Sequence, residues 1–171
     1  MSDIKIRRTV ETDIPTVLKM GDDAVSWLVS QGRTGQWGEK PWTGNQAITQ
    51  KMHARLTTCE FYLAEIDGEP AGALAVSREA QPYVAVAEEP ELYVQFLITA
   101  GAFRGHGVGA RLLAHARERA EAWGVAQVRV DCYAGDDRKL VAFYVSQGFA
   151  PIETFTVGEK NWPGQLLGYR L

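Results

Sequence analysis

The chain has 171 residues, 46% of them apolar, 10% aromatic and 23% charged, which is enough for one domain (1–171) with a real hydrophobic core. Its formal net charge is −3, from 18 basic and 21 acidic residues, so no general attraction to nucleic acid or to an anionic membrane is expected. The composition excludes a collagen-like, a disordered or a disulfide-stapled chain, and no apolar run is long enough to cross a bilayer.

Taken in order, Ile4 to Val10 reads as a first strand. Thr12 or Asp13 can cap a helix with Pro15 in its first turn. Ile14, Val17, Leu18, Ala24, Val25 and Leu28 have helical spacing, with a break expected near Gly21. Gly32 to Gly44 reads as an ordered loop, and Ala47 to Leu56 as a short helix. Phe61 to Ile66 and Ala71 to Val76 flank Asp67-Gly68, a tight-turn dipeptide, and so form a hairpin. Gln81 to Glu89 is a loop, and Glu91 to Thr99 a long central strand. A helix follows the glycines at 105–109, with Val108, Leu112, Ala116, Ala120 and Trp123 on one face and Gly124 at its end. Gln127 to Cys132 is the next strand, Asp136 to Gln147 a helix, and 149–157 and 166–171 are closing strands. Helices, a hairpin, then β-α-β-α-β-β predict an α/β fold with a mixed sheet and helices on both faces.

Cys59 and Cys132 lack CxxC or zinc-ligand spacing, and His53, His106 and His115 are scattered, so no metal is expected. The opening Met-Ser-Asp-Ile-Lys-Ile-Arg-Arg has no apolar core of a secretory signal, so a cytoplasmic location with reduced thiols is expected.

The most informative stretch is Arg104-Gly-His-Gly-Val-Gly109, between a strand and a helix. Glycines let the backbone approach a ligand closely, and the amides of a helix start favour a phosphate or pyrophosphate. A Walker A loop fails, because Ala110-Arg111 stands where Lys-Ser or Lys-Thr is needed. A dinucleotide fingerprint is formally matched by Gly105, Gly107 and Ala110, with Asp131 as the ribose-binding acid of an NAD(P) oxidoreductase. Against it, Ala100 to Arg104 intervene after the strand, and only 40 residues follow Asp131.

Arg104-x-x-Gly107-x-Gly109 resembles the Q/R-x-x-G-x-G/A loop of the GCN5-related N-acetyltransferase (GNAT) family. Leu140-Val-Ala-Phe-Tyr-Val-Ser-Gln-Gly-Phe149 resembles that family's Y-x-x-x-G-F element, in the right order and at a normal separation. The tail Trp162-Pro-Gly-Gln-Leu-Leu167 is similar to that of some bacterial members. The likeness is good over residues 60–171 and looser over the first 56. It implies a mostly antiparallel GNAT-like sheet and acetyl-CoA as cosubstrate. It also implies transfer to a primary amine, most simply that of a small molecule, by direct attack in a ternary complex. A non-catalytic acyl-CoA-binding domain of the same fold is the remaining alternative.

Carried over by position, Leu97, Ile98 and Thr99 would meet pantetheine and the acetyl carbonyl through backbone groups. Arg104, Gly105, His106, Gly107, Val108, Gly109 and Ala110 would hold the pyrophosphate. Asp137 stands seven residues before Tyr144, where the family often has asparagine; ionised, it accepts but cannot donate a hydrogen bond. Tyr144 would protonate the departing thiolate, a role suited to a phenol protonated at neutral pH. The base that takes the amine's proton falls to Asp131 or Glu91, or to ordered water. Cys132 reads as a small core residue. Trp37 and Trp42 would form an aromatic wall for the acceptor or anchor their loop, with Tyr83 and Tyr93 as further wall candidates. A homodimer is compatible with the family.

Overall fold

In a computed structural model, residues 3–171 are described. The fold is mixed α/β: a seven-stranded, mostly antiparallel open sheet with four α-helices, in strand order β1-β2-β3-β4-β5-β7-β6. The chain clusters into two compact units. One runs to Val76 and includes Phe96–Leu112; the other is Ser77–Gln95 with Leu113–Leu171. Among the described residues no helix is long and apolar enough to cross a membrane.

The first unit opens with β1 (Ile4–Arg8), antiparallel to β2 (Glu60–Ile66), which forms a hairpin with β3 (Glu69–Ser77) through Asp67-Gly68. Asp67 and Gly68 both take positive φ, 51° and 79°, the backbone a two-residue hairpin turn needs. Helix α1 (Ile14–Ser30) begins with Pro15 in its first turn, and α2 (Gln46–Thr58) begins at Asn45, whose side chain accepts from the Ile48 amide at 3.1 Å. Asp13 does not cap α1 with its side chain. Its carboxylate accepts from the Val10 amide at 2.8 Å and from Arg7 at 2.8 and 2.9 Å.

Helix α1 runs unbroken through Gly21, contrary to the expected break. The glycine serves a close approach instead. A Cβ there would lie 1.9 Å from Trp42 Cε3, so the indole ring lies flat where a side chain would stand. Asp22 holds the same loop by accepting from the Trp42 amide at 2.6 Å, the Thr43 amide at 2.8 Å and the Thr43 hydroxyl. Trp42 continues to Phe96 at 5.9 Å and Trp37 at 5.2 Å between ring centroids. Gly21→Val should therefore destabilise the fold by about 1–3 kcal/mol through overpacking, read as a lower urea midpoint at unchanged slope. An unchanged midpoint would mean that the ring finds another seat at no cost.

The second unit holds the first half of β4 (Leu92–Thr99), most of α3 (Val108–Trp123), β5 (Gln127–Tyr133), α4 (Lys139–Ser146), β6 (Ala150–Val157) and β7 (Trp162–Arg170). Strand β4 pairs parallel with β5 over Leu92–Val94 against Val128–Val130, and α3 is the crossover that a parallel pair requires. Strand β7 lies antiparallel between β5 and β6, with a bulge at 151–153 of β6. Helix α4 starts at Lys139, three residues later than expected. Asp136 and Arg138 sit in the left-handed region (φ 55° and 58°), which a helix cannot include.

Candidate active site

The first unit carries the glycine loop. Strand β4 ends with Ile98 buried and with Leu97 and Thr99 half-buried. The chain then makes a 3-10 turn, Gly101–Phe103, and reaches Gly105 and Gly107, both left-handed at φ 83° and 77°. A Cβ at either glycine would meet nothing within 4 Å, so the loop offers backbone facing open space. Val108 is buried and anchors the start of α3, Gly109 and Ala110 follow in its first turn, and the Arg111 amide closes that turn on the Gly107 carbonyl at 3.0 Å. The first amides of a 16-residue helix have no upstream carbonyl to meet, and the helix dipole adds positive potential there. Gly72 of β3 permits this placement: a Cβ would lie 2.8 Å from Val108 Cγ1. The loop's makeup thus fits a diphosphate. Arg104 is exposed, its guanidinium 4.1 Å from the centroid of the Trp27 ring, and the His106 ring is 5.6 Å from that of Phe103.

The second unit carries the titratable groups. The Asp131 carboxylate accepts from the Tyr93 hydroxyl at Oδ1 and from the Tyr83 hydroxyl at Oδ2, 3.1 Å away. Burial pushes its carboxyl above the ordinary range, and the two hydroxyls only partly oppose that. Tyr144 on α4 is 5% exposed, its ring 5.2 Å from Phe143 and 5.8 Å from Phe149. Burial, then the neighbouring Cys132 and Asp131, holds its phenol above the usual value, so it stays a protonated donor. Cys132 is buried and its thiol is pushed up to about 12, mainly by burial, which leaves it a neutral packing group. Asp137 is exposed and accepts from the Lys139 amide at 3.1 Å.

Three expected site residues meet different surroundings from those expected. Glu91 is buried and takes both Nε and Nη2 of Arg129, the latter at 2.9 Å, so its two oxygens already serve a salt bridge. Trp42 is 7% exposed and Tyr93 has no accessible surface, so neither turns a ring toward solvent; Trp37 is half-buried against Trp42. The partners of Asp131 were hidden in the sequence, yet parity held a clue. Tyr93 and Gln95 alternate on β4, with Glu91 just before the strand, and Arg129 and Asp131 alternate on β5; Tyr93 stands opposite Arg129 in the parallel register. Among the described residues no cluster of His, Cys, Asp or Glu could hold a metal ion.

The sequence profile of the acetyltransferase (GNAT) family matches residues 23–149. The chain belongs to this family and is an N-acetyltransferase by class, with acetyl-CoA as its acyl donor. That sets aside the nucleotide-dependent oxidoreductase built on Gly105, Gly107 and Ala110. Among solved structures, a GCN5-related N-acetyltransferase from Rhodopseudomonas palustris is 19% identical with a TM-score of 0.74, covering 100% of this chain and 98% of that one. A ribosomal-protein-alanine N-acetyltransferase from Brucella melitensis is 22% identical, TM-score 0.67, covering 98% and 99%. The protein yncA of Salmonella typhimurium, solved with its cofactor acetyl-CoA, is 14% identical, TM-score 0.66, covering 98% and 94%. No curated protein matches the chain.

Proposed function

We propose that the protein transfers an acetyl group from acetyl-CoA to the primary amine of a small molecule, by direct attack within a ternary complex. The observation that carries this reading is the open glycine loop at 105–107 running into α3. Acetyl-CoA, when bound, supplies the thioester. Gly105 to Ala110 hold its diphosphate through backbone amides, Arg104 and His106 border them, Asp137 touches CoA as a hydrogen-bond acceptor, and the backbone of Leu97, Ile98 and Thr99 meets pantetheine and the carbonyl.

Asp131 takes the proton of the incoming ammonium, which must become a free amine before its lone pair can attack. Its raised carboxyl suits a base working nearer neutral pH than an ordinary aspartate. Tyr144 gives its phenolic proton to the departing thiolate. Trp37 borders the acceptor, while Trp42 holds the loop that carries it. The family match reaches into both units, which supports reading residues 1–171 as one acetyltransferase domain. The proposed location is the cytoplasm, where Cys59 and Cys132 would be kept reduced.

Thermal shift with acetyl-CoA, CoA and NAD(P)H in parallel tests the reading. A ligand at a hundredfold excess over Kd adds about 2.7 kcal/mol to the native state. Acetyl-CoA and CoA should raise the midpoint and NAD(P)H should not. A rise with NAD(P)H alone would overturn the proposal.

A further inference from the structure

One contact at Asp131 has no part in the acetyl-transfer reading. Two tyrosines hold this carboxylate, and they differ in kind. Tyr93, on β4, has no accessible surface and reaches Oδ1 from the interior. Tyr83 is 40% exposed and reaches Oδ2 from the loop between β3 and β4.

That loop is anchored on both sides of Tyr83. Before it, the Gln81 side-chain amide donates to Gln95 Oε1 at 2.5 Å, and Gln95 Nε2 donates to the Glu79 carbonyl at 2.6 Å and to Ser77 Oγ at 3.0 Å. After it, Val84 packs with Tyr93 and Leu166, and Arg129 Nη1 donates to the Ala85 carbonyl at 2.9 Å. Between these anchors the Tyr83 ring lies against Phe155, 5.4 Å between centroids. The loop is thus held on both sides of Tyr83, and of the two tyrosines on Asp131 Tyr83 is the one with accessible surface.

A phenol is a neutral donor to this carboxylate, whereas an ammonium makes the stronger, charge-assisted hydrogen bond. We infer that the Tyr83 hydroxyl keeps the place of the acceptor's ammonium at Asp131 Oδ2, aiming the carboxylate until a primary alkylammonium displaces it, while Tyr93 stays bound. The inference rests on the reading of Asp131 as the acceptor's base. It makes Tyr83 a positioning residue, and it makes the acceptor an N–H-bearing cation. A quaternary ammonium, which has no N–H to donate, should not displace the hydroxyl.

The test uses the full chain carrying tyrosine labelled with carbon-13 at Cζ and aspartate labelled at Cγ, with Tyr83 and Asp131 signals assigned from Y83F and D131N. The protein is titrated with n-butylammonium chloride, and in parallel with choline chloride at matched ionic strength. Expected is a joint, saturable movement of the Tyr83 and Asp131 signals with butylammonium and none with choline. Y83F, which keeps its ring on Phe155, should bind butylammonium about two- to tenfold more tightly, because no hydroxyl has to leave. A merely structural tyrosine would move the melting midpoint and not this affinity. Movement of Asp131 without Tyr83, equal movement with choline, no movement at all, or weaker binding by Y83F would each overturn the inference. Failure of the base reading looks different: D131N would then release CoA from acetyl-CoA and amine at the wild-type rate, whatever Tyr83 does.

Discussion

Tyr144→Phe should lower kcat by about 10²–10⁴-fold, the usual contribution of a positioned acid or base, which is about 3–5 kcal/mol of barrier. The substitution keeps the ring that packs against Phe143 and Phe149, so the melting midpoint and the shift caused by acetyl-CoA should stay close to wild type. The pH profile separates the acid from the base. Burial holds the Tyr144 phenol above its ordinary value, so the donor stays protonated well beyond neutrality and sets no limb there. Asp131 must be ionised to accept a proton. Its carboxyl is raised by burial, so activity should fall as pH falls through a limb above the ordinary carboxylate range of about 4. Tyr144→Phe should keep that acidic limb and lose rate at every pH. Stopped-flow or thiol-trapping measurement of CoA release across pH decides it: an unchanged kcat would remove Tyr144 from the chemistry.

The parts of this enzyme written locally in the sequence could be read there. The loop at 104–109 is a short run whose glycines and helix start state their own geometry, and the Tyr144 to Phe149 segment sits on one helix and its exit. The Asp67-Gly68 hairpin is likewise a two-residue statement. Features that depend on distant partners were not legible. Gly21 looks like a helix breaker until Trp42, far along the chain, is seen lying on it. Asp136 and Arg138 look helical by composition, yet each takes positive φ before α4 begins. The surroundings of Asp131 needed the register of β4 on β5, because Tyr93 and Tyr83 reach it from another strand and from a loop. Glu91 shares parity with Tyr93, which made it as attractive a base as Asp131, and its salt bridge with Arg129 came into view only with the fold.

Arg129→Met should cost about 3–5 kcal/mol of stability, the largest loss expected of a single substitution here. Glu91 and Arg129 are both buried, and the guanidinium reaches Glu91 through two nitrogens and the Ala85 carbonyl through a third. Removing the cation leaves a carboxylate in an apolar interior with no counter-charge, and that desolvation is the source of the loss. Replacing both members, Glu91→Leu with Arg129→Met, leaves no buried charge, and the double variant should recover to near wild type. The Ala85 carbonyl lies in an exposed stretch, where water can replace the lost donor. Urea midpoints at constant slope measure all three proteins. A loss under about 1 kcal/mol for Arg129→Met would mean that water already screens the pair. The same double variant separates the two carboxylates functionally. With Asp131 as the base, the refolded pair should still release CoA at a substantial rate, slowed only as far as the loop carrying Tyr83 loosens. Abolished turnover in a folded double variant would return the proton transfer to Glu91.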